Sequence, residues 1–186
     1  MEKPKIATCS LAGCFGCHMS FLDIDERFLE LIKLVEFDRS PINDIKRFTG
    51  RCAIGLVEGG CCNEENVQTL QKFRKNCDVL ISVGQCAING GVPAMRNAIM
   101  GGDDPLKECL EEAYLTCPTS YNPAHEIPND PALPLLLDIV YPCHEVVKID
   151  YAIPGCPPSA DTLWFTLVAL VKGEPTKLPY ELLKYD

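Results

Sequence analysis

The 186-residue sequence predicts an α/β fold, with a mostly parallel sheet covered by helices on both faces. Two features predict it. Short apolar runs of strand length alternate with segments of helical spacing, and the runs stop at loops bearing glycine and cysteine. Right-handed crossovers between parallel strands then distribute the helices over both faces. The length suits one domain, residues 1–186.

The elements follow in order. Lys5–Ser10 reads as a buried strand that runs into Leu11-Ala12-Gly13-Cys14-Phe15-Gly16-Cys17. Residues 19–34 read as one amphipathic helix with Leu22, Phe28, Leu29 and Ile32 near helical spacing, and a weak strand follows at 35–37. Residues 51–57 read as a buried strand stopped by Glu58-Gly59-Gly60-Cys61-Cys62. Asn63 is suited to cap a polar helix over 64–76. Residues 79–83 form the next strand and end in Gly84-Gln85-Cys86-Ala87-Ile88-Asn89-Gly90-Gly91, before a short helix at 93–100. Residues 101–145 break the rhythm. They are rich in proline and aspartate, with one helix over 105–115, and read as an irregular insertion, one use of which is a surface for another subunit. Residues 146–153 read as the last strand, leading into Pro154-Gly155-Cys156-Pro157-Pro158 and a helix over 160–171. Beyond residue 173 there is a helical hint only at the end.

Seventeen basic and 26 acidic side chains leave a net charge of −9, which repels phosphate backbones and argues against nucleic-acid binding as the main task. There is no polybasic run for anionic lipid, and no stretch approaches the roughly 20 apolar residues of a membrane span. The first residues carry neither an apolar leader core nor a twin arginine, so a cytoplasmic location is expected. Structural disulfides are rare there. The 12 cysteines therefore point to bound metal and buried thiols.

Loop position divides them. In an open α/β sheet, loops after the strand C-termini share one edge, where ligands bind. Cys14 and Cys17 follow the first strand, Cys86 a later one and Cys156 the last, so four thiolates are expected to converge. A [4Fe–4S] cluster takes one cysteine per iron. Structural zinc usually takes two close pairs on a small hairpin; one close pair with two isolated cysteines favours the cluster. Gly16, Gly84, Gly90, Gly91 and Gly155 permit close backbone approach, and their N–H groups are suited to donate to cluster sulfur. Cys14 and Cys17 alone also fit a thioredoxin-type redox pair, but they open onto further cysteine-bearing loops, and no cis-proline substrate loop can be identified. Cys61 and Cys62 lie after another strand on the same edge and rival two of the ligand places. Cys9, Cys52 and Cys77 read as buried thiols. Cys109, Cys117 and Cys143 have no ligand role, although Cys117 and Cys143 are placed to approach each other.

Gly13-Cys14-Phe15-Gly16-Cys17, Val57-Glu58-Gly59, Val83-Gly84-Gln85-Cys86-Ala87 with Gly90-Gly91, and Pro154-Gly155-Cys156-Pro157-Pro158 together resemble the small subunit of nickel–iron hydrogenases over about residues 5–171. The resemblance implies a flavodoxin-like, three-layer domain. In it Cys14, Cys17, Cys86 and Cys156 bind the proximal [4Fe–4S] cluster, packed against a large subunit with the nickel–iron site. With no leader and no cluster-bearing extension, the chain resembles the small (delta) subunit of cytoplasmic, bidirectional NAD-reducing hydrogenases, in which diaphorase subunits with FMN and further clusters pass electrons to NAD. NADP-, F420- or sulfur-linked hydrogenases are the nearest alternatives; a zinc-stabilised or redox-switch interaction module is the alternative of another class. His18 departs from the small polar residue usual after the second cysteine. The adjacent pair Cys61-Cys62 resembles one in the related subunit of respiratory complex I, but there the pair belongs in the first loop. Nothing places FMN on this chain, since residues 9–17, where a phosphate loop would lie, carry the cluster cysteines. Glu58 is expected to accept N–H bonds from the loops, a proton-relay role being its alternative. His18 is expected to be a helix-start residue, His125 and His144 to face solvent, and Trp164 to pack in the core or against a subunit.

Overall fold

The computed structural model describes residues 3–99 and 104–182. In chain order the elements are β1 (Lys5–Ser10), α1 (Gly16–Leu22), α2 (Arg27–Leu34), β2 (Glu36–Phe37), β3 (Cys52–Glu58), β4 (Cys61–Asn63), α3 (Glu64–Asn76), β5 (Cys77–Val83), α4 (Gln85–Asn89), α5 (Met95–Ile99), α6 (Pro105–Glu111), β6 (Leu136–Tyr141), α7 (Cys143–Val146), β7 (Tyr151–Ile153) and α8 (Ala160–Lys172). Five strands pair in parallel in the order β2-β1-β3-β5-β7, the flavodoxin-like doubly wound order. Register is continuous across the centre: Ile6 pairs with Ile54, and Ile54 with Val79.

Side-chain alternation builds two apolar layers. Ile6, Ile54, Ile81 and Val83 join Phe21, Leu31, Leu163 and Leu167 under α1, α2 and α8. Ala7, Cys9, Val57 and Leu80 join Leu70, Phe73, Ala87 and Cys143 under α3, α4 and α7. Strands buried on both faces read as near-continuous apolar runs, as the sequence does here. Asn63 caps α3 by accepting from Asn66 N at 2.8 Å, and Ser159 caps α8 by accepting from Thr162 N at 3.2 Å.

Three segments differ from the sequence expectation. The helix expected over 19–34 is two helices. Asp23 and Asp25 flank Ile24, Asp25 takes φ 54°, and the break turns Ile24 into the core; short acidic side chains compete with the helix backbone in this way. The strand expected over 146–153 keeps only its last three residues. Val146 closes α7, and Asp150 accepts from Leu80 N at 2.8 Å while it pairs with Arg74, which ends the ladder. The insertion is partly regular: β6 pairs antiparallel with β4, which carries Cys61 and Cys62, and the Asn97 side chain bonds both backbone groups of Val140. Its helix ends at Glu111 and continues as a wider π-type turn through Thr116. The expected helix end at residue 100 lies outside the described residues; the helical hint near the end of the chain is a single 3-10 turn at Tyr180–Leu182 as far as the described residues run.

The segment between β2 and β3 is pinned by Asp38, whose buried carboxylate accepts from Arg39 N and Thr49 N at 2.7 and 3.0 Å and from the Thr49 hydroxyl, with Lys5 Nζ at 3.5 Å. Burial pushes this carboxyl up. The Thr49 donors, the Arg39 N–H and Lys5 more than reverse that, so it sits below the ordinary carboxylate range. A depressed folded pKa gives stability that is present above the unfolded value, ~3.9, and is lost as pH falls through the folded one. Urea unfolding of the wild type and Asp38→Asn should show a stability gap that is constant near neutral pH and closes in acid below that value. A gap of constant size through acid pH would contradict this account.

Candidate metal centre

The loops after β1, β5 and β7 meet at the C-terminal edge of the sheet. Backbone hydrogen bonds lace them. Gly84 N donates to Ile153 O and Gln85 N to Gly155 O, joining the second and third loops. Leu11 N donates to Glu58 O, while Ala12 and Gly60 exchange both bonds, joining the first loop to the end of β3. Ser20 Oγ donates to Pro158 O at 2.5 Å, closing the ring from the α1 side.

Within this frame the four cysteines come together. The Cys17 thiol feels Cys86 and Cys14, and Cys86 feels Cys156 and Cys14. Cys14 and Cys156 are exposed; Cys17 and Cys86 are half-buried. Phe15 takes the left-handed conformation at φ 65°, which turns the chain between Cys14 and Cys17 and starts α1 at Gly16. Gly16 N then donates to Cys14 Sγ at 3.4 Å, and Val92 N donates to Cys86. Burial pushes the Cys17 thiol well up, with Glu58 adding to the shift. It also raises Cys86, against the Val92 N–H. Binding a metal here therefore releases protons.

One polar group holds the first loop. Glu58, at the end of β3, is 4% exposed. Its Oε2 accepts from Cys17 N at 2.9 Å and His18 N at 3.2 Å, and its Oε1 lies 2.9 Å from His18 Nδ1, a close pair contact outside good hydrogen-bond alignment. His18 Nε2 meets Thr8 Oγ1 at 2.9 Å, and Thr8 Oγ1 meets Ser40 Oγ at 2.6 Å. Burial raises the Glu58 carboxyl, but the imidazole and the N–H donors outweigh it and leave the group below its usual range. The sequence expectation that Glu58 accepts loop N–H bonds holds. His18 is more than a helix-start residue: its ring is buried and stacked on Phe15 at 4.6 Å. Thr8 and Ser40 belong to this network and were missed. Their signal is a polar residue inside a strand that is otherwise apolar, and a serine just past one.

The remaining cysteines separate from the site. Cys61 is fully buried against Cys143. Cys62 bonds the Asn66 side chain at 3.3 Å. Cys143 therefore faces Cys61, and Cys117 faces Thr119 instead of Cys143. Cys9, Cys52 and Cys77 are buried in the core as expected. His125 and His144 are exposed, and Trp164 packs against the first apolar layer with Arg27 over its ring at 5.6 Å. The peptide bond between Cys156 and Pro157 is cis, so a cis-proline does lie beside the site.

The donor set fits a four-iron cluster. Four thiols stand on three loops, two of them with N–H donors to sulfur, and glycine backbone lines the space between. A Cβ on Gly84 would sit 2.3 Å from Cys17 Sγ, and one on Gly91 would sit 2.8 Å from Cys86 Sγ. Among the described residues no three His, Cys, Asp or Glu side chains are drawn together around a single metal ion.

Comparison with known proteins places the chain in context. The family described as the 20 kDa subunit of NADH ubiquinone oxidoreductase matches residues 14–170. The delta subunit of the NAD-reducing hydrogenase HoxS from Cupriavidus necator is 53% identical over 185 residues, covering 99% of this chain and 86% of that protein. A subunit of the F420-non-reducing hydrogenase of Methanothermobacter marburgensis is 36% identical over 180 residues, and there the chain spans 56% of the relative's length. A crystal structure of NAD+-reducing NiFe hydrogenase in the H2-reduced state contains a chain of the same extent, 49% identical, with a TM-score of 0.92. A NiFeSe hydrogenase from Dm. baculatum shares the fold alone, with 15% identity and a TM-score of 0.58.

Replacing Gly84 by Ala should push Cys17 off its place, because the new methyl overlaps its sulfur. Iron and acid-labile sulfide per chain should fall several-fold. Gly173→Ala, with φ 70° but open space around it, should lose about 1–2 kcal/mol of stability and keep its iron. Full iron in the Gly84 variant would remove Cys17 from the ligand set.

Proposed function

The chain belongs to the family of the 20 kDa subunit of NADH ubiquinone oxidoreductase, as a small subunit of NAD-reducing nickel–iron hydrogenase, and from that premise we propose that it is the electron-relay subunit of that enzyme. In this reading Cys14, Cys17, Cys86 and Cys156 ligate one proximal [4Fe–4S] cluster. The observation that carries it is the convergence of these four thiols at one sheet edge, with backbone donors on two of them.

When bound, the cluster supplies reversible one-electron storage. The chain supplies geometry and field. Cys14 and Cys156 are the exposed ligands in this reading, and Met19 in α1, Val92 after α4 and Met95 in α5 are exposed apolar side chains. This end is the surface we assign to the large subunit, which carries the nickel–iron site. The Gly16 and Val92 N–H groups offset thiolate charge and favour reduction, while the ionised Glu58 carboxylate opposes it. Electrons released from hydrogen on the large subunit pass across this chain to diaphorase subunits with FMN and further clusters, so that the whole enzyme runs H2 + NAD+ = H+ + NADH. Among the described residues no helix is long and apolar enough to cross a membrane, and we assign the enzyme to the cytoplasm.

Purified complex carrying Cys156→Ser should show a lost or altered low-temperature EPR signal for the reduced proximal cluster. Hydrogen-driven NAD+ reduction should fall at least about tenfold, with nickel in the large subunit unchanged. An unaffected signal would remove Cys156 from the ligands. A wild-type chain without any cubane signal would overturn the relay reading.

A further inference from the structure

Several cations on this chain lie against carboxylates: Lys5 against Glu36 and Asp38, Arg27 against Asp161, Arg51 against Asp78, Lys107 against Glu111, and Arg74 and Lys148 against Asp150. Four others share one place. Arg39, Lys46, Arg47 and Lys72 line an open hollow of about 430 Å³ with Phe48 and Asn76. Among the described residues none of these four is paired with a carboxylate. They come from the segment after β2 and from α3, so no run of basic residues in the sequence announces them.

Neutral groups position two of the four. The Arg39 guanidinium lies over the rings of Phe48 and Phe73, 5.5 and 5.1 Å from their centroids. Lys46 Nζ donates to the carbonyls of Ser40, Pro41 and Asn43. Both are therefore held without being neutralised. Among the described residues no Asp or Glu lines this hollow; Glu65 lines the adjoining one that shares Arg39 and Lys46. In a chain of net charge −9, four like charges gathered with no ion-paired carboxylate make this face locally positive.

We propose that this hollow is the docking surface for an acidic segment of a partner subunit. The inference rests on the reading that the chain works inside a multisubunit enzyme. Lys46, Arg47 and Lys72 are exposed, so the hollow has the character of an interface rim, where charge steers association and fixes orientation. A small free anion is the poorer fit. The C-terminal end of α3 borders the hollow at Asn76, and its carbonyl dipole is negative. An extended acidic segment meets all four cations at once.

The test treats the intact complex with a carbodiimide, which joins amines to carboxylates in contact. Cross-links are expected from Lys46 or Lys72 to Asp or Glu of another subunit. Arg47→Glu with Lys72→Glu should slow reassociation of that subunit roughly tenfold at low salt, and should lower the salt concentration that strips it. The neutral pair Arg47→Gln with Lys72→Gln should do so less. The cluster EPR signal should stay unchanged in both, which separates this inference from the relay reading. Cross-links confined to this chain, or the same salt profile in correctly folded variants, would overturn it. So would protection of Lys72 in the isolated chain by millimolar inorganic phosphate without a partner cross-link, which would assign the hollow to a small anion.

Discussion

The site depends on one buried carboxylate. Glu58 ends β3 beneath the first cysteine loop and accepts from two backbone N–H groups, with the His18 imidazole in close contact. Burying a carboxylate is costly unless it is hydrogen-bonded, and here the bonds bring it below its usual pKa in spite of burial. The converse matters as much. Without Glu58, the Cys17 and His18 N–H groups would be left with a lost partner in a desolvated place, at about 1–3 kcal/mol for each buried group. The loop between Cys14 and Cys17 is therefore held by β3 more than by its own turn, and β3 is central in the sheet. A cysteine-bearing loop bonded in this way is tied to a central strand of the sheet.

The parallel sheet turns that anchoring into a site. All five strands point the same way, so every strand-to-helix loop opens on one edge. The loops are joined mainly by backbone bonds, which place few demands on side chains and leave room for glycine. Gly84 and Gly91 then stand where any larger residue would overlap the sulfur of Cys17 or Cys86. The same edge carries opposing electrostatic effects: N–H groups aimed at two cysteines, and a carboxylate one peptide away from a third. Because both are fixed by the fold, the field at the thiols is set before any metal arrives.

Much of this was legible in the sequence because it rests on local signals. β1, β3 and β5 are mainly apolar runs, Asn63 and the residues after it announce a cap, and loop position predicts that Cys14, Cys17, Cys86 and Cys156 share one sheet edge. What was not legible depends on distant partners. The break at Asp23–Glu26 needs the core to accept Ile24. The shortening of β7 needs Arg74, far away in sequence, to claim Asp150. β6 forms because β4 offers it an edge, and no local pattern in a proline-rich insertion shows that. The His18–Thr8–Ser40 network escaped notice because each member is unremarkable alone and is joined only when β1, β2 and α1 pack.

The cysteines show how far composition alone can mislead. Cys9, Cys52, Cys61, Cys77 and Cys143 share one apolar layer, remote from the loop thiols in role. Burial pushes the Cys9 thiol up, and Cys77 and Cys143 are raised by their partners Cys52 and Cys61 as well as by burial. Thiols so placed stay protonated and behave as small hydrophobes. What they offer over alanine or valine is a weak donor: Cys143 Sγ reaches Gly59 O at 3.4 Å, beside the residue that fixes the first loop. The loop cysteines are less buried, and Cys14 and Cys86 have backbone N–H donors. What separates the two sets is exposure: Cys14 and Cys156 open to solvent at the sheet edge, with the Gly16 N–H on Cys14, whereas Cys9, Cys77 and Cys143 are sealed in an apolar layer between helix and sheet.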